Sequence, residues 1–215
     1  LLKPYKQLYY NVLICRTPHK YQNTIIVDLT IIGKVNIFNR LSPYYPHGGI
    51  PIPNTPNLCL SSVNEVWQKL CVNRCGNLNN TQHKDIMFRK GLYINEYWTY
   101  TEARRKIFIP LYCWMLENKV YNIVEYLREQ SPMKRIVIID NSINDNIDNI
   151  DQPLSSAFLL KAYIEGKAPY ADAIKEVTEH HYAMVGRKEI DIQRKKIIAQ
   201  KIANIYTGSQ RTLDL

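Results

Sequence analysis

A chain of 215 residues with 28 basic and 19 acidic side chains and 46% hydrophobic residues has the make-up of one globular domain with a basic surface. The hydrophobic fraction excludes wholesale disorder, and no window approaches ~18 uninterrupted apolar residues, so no transmembrane helix is predicted. The formal charge of +9 points to an anionic partner, such as RNA, a phosphate ligand or an acidic protein, and says nothing of the fold.

Residues 1–40 read as strand-rich. Tyr9–Cys15 and Thr24–Ile32 are β-branched and aromatic runs separated by a polar turn around Pro18–Asn23. Residues 42–57 carry Pro43, Pro46, Pro51, Pro53 and Pro56 with Gly48 and Gly49, a density that predicts an extended, rigid loop. A helix follows: Ser61 or Ser62 is a suitable N-cap, Glu65 the capping-box partner, and Val63, Val66, Trp67 and Leu70 fall at helical spacing. Residues 73–91 read as a polar loop. From Thr101 to Pro110 the pattern turns from helical to extended, and Leu111–Gln130 predicts one amphipathic helix stopped by Ser131-Pro132. Arg135–Asp140 is a buried strand, 141–152 an Asn/Asp-rich loop, and Leu154–Glu165 a helix closed by Gly166 and Pro169. The tail 171–206 predicts one or two further helices, broken near Gly186. The whole reads as a single α+β domain, helix-rich with a small N-terminal sheet, over residues 1–170. A basic helical extension covers 171–215.

Five scattered cysteines without a C-x-x-C pair argue for a reducing intracellular compartment and against a disulfide framework. Cys71 and Cys75 lie one helical turn apart, which is half a zinc site at most. His180 and His181, adjacent on a predicted helix, point roughly 100° apart. No metal set and no cofactor motif is read. The chain begins Leu1-Leu2, which fits removal of an organelle presequence and also fits a trimmed chain.

One constellation is more specific. A strand ending near Phe38 leads into Ser42-Pro43-Tyr44-Tyr45-Pro46, then Ser62-Val63-Asn64-Glu65-Val66-Trp67-Gln68 on a helix. This resembles the NADAR (YbiA-like) family, whose signature runs S-N-F-Y-P and then S-V-E-x-x-[WYF]-Q-x-x-K. The likeness extends more loosely through Gly91, Tyr100–Lys106, Ile109–Lys119 and Pro153–Gly166. It implies a pocket for an ADP-ribose-like or ribosylated-base ligand, since active members are N-glycosidases. Such chemistry needs a carboxylate to activate water or stabilise a charge-deficient ribosyl centre. Here Asn64 stands where the family keeps its helix glutamate, and Cys71 where it keeps a lysine. Asparagine hydrogen-bonds but cannot act as a base at neutral pH. The candidate pocket set is therefore Ser62, Asn64, Glu65, Trp67, Gln68, Glu102 and Asp140, with a degenerate active site expected. Glu65 is expected to turn out of the pocket. Glu102 with Arg104 reads alternatively as a salt bridge, and Asp140 as a turn-forming residue.

The tail carries Arg187, Lys188, Arg194, Lys195, Lys196, Lys201 and Arg211, beside the apolar Ile190, Ile197, Ile198 and Ile202. A basic helix of this kind can lie along an RNA backbone. The expectation is a non-catalytic NADAR-like subunit of a large organellar assembly, a mitochondrial ribosomal protein or alternatively a respiratory-complex subunit. Two competing expectations are an N-glycosidase in which Glu65, Glu102 or Asp140 replaces the lost glutamate, and a binding module that keeps the pocket as a nucleotide sensor.

Overall fold

A computed structural model describes residues 10–17, 22–30, 36–72 and 86–167. The tail lies outside these residues, and so do the domain boundary near 170, His180, His181, Cys75 and the seven basic residues Arg187, Lys188, Arg194, Lys195, Lys196, Lys201 and Arg211. The fold is α+β. Three strands form its principal sheet: β1 (Val12–Cys15), β2 (Thr24–Asp28) and β7 (Arg135–Ile139). The two N-terminal strands do not pair with each other. The late strand β7 lies between them and runs parallel to both, with Ile136 opposite Val12 and Ile25. Its continuous apolar run suits a central strand shielded on both faces, and all of Ile136–Ile139 is buried.

Between β2 and the first long helix lie a 3₁₀ turn (Ile37–Leu41) and the hairpin β3 (Ile50–Ile52) and β4 (Thr55–Leu60). The proline-rich stretch is thus not only a loop, as its composition predicts. Two antiparallel strands tolerate its prolines because each has a free edge. Pro53 and Asn54 make the tight turn, Asn54 taking a left-handed φ of 50° that asparagine accepts readily. α1 (Val63–Leu70) follows as predicted, Ser62 accepting from the Glu65 backbone N–H. Residues 87–89 also depart from the predicted loop, since β5 (Met87–Arg89) pairs with β6 (Tyr97–Thr99).

The stretch expected to turn extended before Pro110 is helical throughout. α2 (Tyr100–Ala103) runs into a π turn (Arg104–Phe108) and then α3 (Ile109–Asn118). Pro110 lacks an N–H and crowds the preceding turn, and the backbone widens there, Ile109 N–H reaching back to the Arg104 carbonyl. The single helix expected over Leu111–Gln130 is two, α3 and α4 (Tyr121–Gln130). The Asn118 side chain donates to the Trp114 carbonyl at 2.9 Å, and Val120 leaves helical geometry at φ −137°. α3 is buried from Ile109 to Leu116, so it is a core helix and not an amphipathic one. α5 (Ser156–Ile164) ends at Gly166, whose φ of 69° lets Lys167 N–H reach the Ala162 carbonyl. No helix among the described residues is long and apolar enough to cross a membrane.

Candidate functional site

Because β1, β2 and β7 run parallel, their carboxyl ends open on one edge of the sheet, where open α/β sheets hold ligands. A cleft of about 590 Å³ lies there, within the usual range for small-molecule sites. Arg16 follows β1, Leu29 and Thr30 follow β2, and Asp140 and Asn141 follow β7. α1 presents Asn64, Trp67 and Gln68, which share a face because they are three and four residues apart. The helix starting at α2 adds Tyr100, Arg104 and Phe108, and the 141–153 loop and the start of α5 close the far wall.

Of the seven sequence-derived candidates, four line this cleft: Asn64, Trp67, Gln68 and Asp140. The other three are structural caps. Ser62 is the N-cap of α1, and the Glu65 carboxylate turns back to the Ser61 backbone N–H at 2.8 Å and to the Ser61 hydroxyl. Those bonds hold the Glu65 pKa below the usual carboxylate range. Glu102 forms a capping box with Thr99, accepting from its backbone N–H and its hydroxyl, each at 2.8 Å. It does not pair with Arg104. Cys71 is the C-cap of α1 and no part of the cleft lining. No cluster among the described residues could hold a metal ion.

Asp140 directly follows the central strand and faces the first turn of α5. One carboxylate oxygen accepts from Ser155 Oγ and the Ala157 N–H, both at 3.0 Å, and the other from the Asn141 N–H at 2.8 Å. It is the one carboxylate among the described lining residues, and three donors already occupy it. Tyr44 stands at the rim. Burial first, and then the nearby Asp140 carboxylate, raises its hydroxyl pKa.

Arg104 lines the cleft and is 1% exposed although charged. Its guanidinium donates to the carbonyls of Ile147 (2.8 Å), Asn149 (2.6 Å) and Gln152 (2.5 Å), all in the far wall. It also lies 4.6 Å from the centre of the Tyr100 ring. No carboxylate among the described residues is within ion-pair distance of it. Trp67 packs edge-on to Tyr100 at 5.7 Å and to Phe108 at 5.5 Å, which makes one wall aromatic. Arg16, Phe108 and Gln152 were not among the expected site residues, whereas Tyr44 and Tyr100 fall within stretches that carry the family resemblance. For Arg16 the signal was its place just after a strand, which becomes informative only once β7 is known to run parallel to β1.

A family model matches residues 14–160, a span that takes in every lining residue from Arg16 to Ser156. The chain belongs to the DUF6939 family, a family of unknown function. No curated protein and no solved structure matches it. For this DUF6939 chain the chemistry of the cleft must carry the functional argument. It offers an aromatic wall, the amides Asn64 and Gln68, two arginines and one occupied carboxylate.

Proposed function

We propose that this DUF6939 domain is a non-catalytic, NADAR-type binding module whose cleft takes an ADP-ribose-like or ribosylated-base ligand. One observation carries the reading: Asn64, Trp67 and Gln68, three residues of the helix motif that resembles the NADAR signature, converge on the cleft at the sheet's carboxyl edge. An aromatic face of this kind stacks on a base, and the amides hydrogen-bond to base or ribose edges. The absence of catalysis follows from two residues. Asn64 stands where the NADAR signature has its helix glutamate, and Asp140, the carboxylate among the described lining residues, is engaged by Ser155, Ala157 and Asn141. A purified chain titrated with ADP-ribose should gain thermal stability, by ~2.7 kcal/mol at one hundred times Kd. Chromatography of the same mixture should find no released ribosyl product. An unchanged melting temperature at saturating ligand refutes the binding, and turnover refutes the lack of catalysis.

A further inference from the structure

We propose that Arg104 reads negative charge in the ligand, so that the cleft selects a phosphorylated ribosyl compound over its neutral nucleoside. This rests on the reading of the cleft as a ribosylated-ligand pocket and adds the class of ligand and the residue that selects it. A fully buried guanidinium is ordinarily paired with a carboxylate, because taking an unpaired cation out of water is costly. Among the described residues Arg104 has carbonyl dipoles in place of a counter-ion. Three of its five N–H donors go to Ile147, Asn149 and Gln152, which holds the planar fork rigidly without neutralising its charge. The Tyr100 ring adds a face-on contact to the cation and again no full negative charge.

The surroundings agree in sign. Among the described residues, the charged members of the cleft lining are Arg16, Arg104 and Asp140, two cations against one anion. Asp140 is turned to the N-terminus of α5, whose hydroxyl and N–H donors take up one of its oxygens, while the Asn141 N–H takes the other. A phosphate set beside Arg104 supplies the missing counter-charge and accepts from guanidinium N–H groups, a pairing that suits arginine's geometry. The π turn begins at Arg104 and so fixes the direction in which this side chain leaves the helix, and such turns recur at functional sites.

The test uses three probes on the full chain: ADP-ribose, adenosine and inorganic diphosphate. Wild-type protein should bind ADP-ribose at least ~10-fold more tightly than adenosine, the scale of one charged hydrogen-bonded contact. Arg104→Gln should abolish that preference, with ADP-ribose losing about 10-fold more affinity than adenosine. Equal affinity for ADP-ribose and adenosine in the wild type overturns the inference while leaving the pocket reading intact. An equal loss of both ligands in Arg104→Gln also overturns it, because Arg104 is then only a brace for the far wall. If that variant does not fold, the wild-type comparison alone decides. If neither ADP-ribose nor adenosine binds, the pocket reading fails and diphosphate decides the rest. Stabilisation of the wild type by diphosphate keeps the anion site, and none removes it.

Discussion

The Asp140 carboxylate accepts a hydrogen bond from the Ala157 backbone N–H at 3.0 Å, joining the end of the central strand to the first turn of α5. With the bonds from Ser155 and Asn141, this contact sets the distance between the sheet edge and the far wall of the cleft. Asp140→Ala leaves those donors unpaired at a helix start. The variant should lose about 1–2 kcal/mol of unfolding free energy in urea, the usual size of a lost cap. An unchanged denaturation midpoint would show that the contact contributes nothing.

Glu65 and Glu102 should behave as caps and nothing more. Each lies at the start of a helix with its carboxylate returned to the backbone. Glu65→Ala and Glu102→Ala should each cost ~1 kcal/mol of stability and leave ADP-ribose affinity as it was. A calorimetric titration in which either variant loses ligand binding would place that glutamate in the site.

Much of this was legible in the chain, and the misses share a cause. The N-cap at Ser62, the buried strand ending in Asp140 and the glycine closing α5 are signals contained within a few residues. The helix face that joins Asn64, Trp67 and Gln68 also follows from spacing alone. By contrast, Pro110 reads locally as the end of an extended segment, and only the packing of α3 in the core favours widening the helix around it. The insertion of β7 between β1 and β2 joins residues over 100 positions apart, so no local pattern could place Arg16 beside Asp140. Arg104 was visible as a charge, but its partners are backbone carbonyls of a distant loop and have no residue signature.

His47 makes stability depend on pH. Burial lowers its pKa to about 4, Arg40 and Lys119 oppose its charge further, and only the 2.8 Å bond to the Arg40 carbonyl favours it. That carbonyl can only accept, so Nε2 carries the proton of the neutral ring. The unfolded imidazole, at about 6.5, binds a proton that the folded one refuses. The contribution is therefore complete above about pH 6.5 and is lost as pH falls toward 4. With His47 only half-buried, solvent screening reduces this to about 1–2 kcal/mol. Urea unfolding at pH 7 and pH 4.5 should differ by more in the wild type than in His47→Gln. Equal differences would contradict it.

Trp67 should carry much of the ligand affinity. It forms the aromatic wall with Tyr100 and Phe108, and stacking on one base contributes about 1–3 kcal/mol. Trp67→Ala should weaken ADP-ribose binding by about 10- to 100-fold in calorimetry. A titration matching the wild type would remove the aromatic wall from the account.

In the proposed reading the cleft binds a ribosylated ligand and does not turn it over, because Asn64 stands where a glutamate would act. The most direct measurement pairs the wild type with Asn64→Glu, each incubated with ADP-ribosylated nucleobase substrate and assayed for released ribosyl product. The wild type should show saturable binding without product, and Asn64→Glu a release about 10²-fold or more above that background, the usual effect of a positioned base. Product from the wild type, or no binding by it at saturating ligand, would contradict the account.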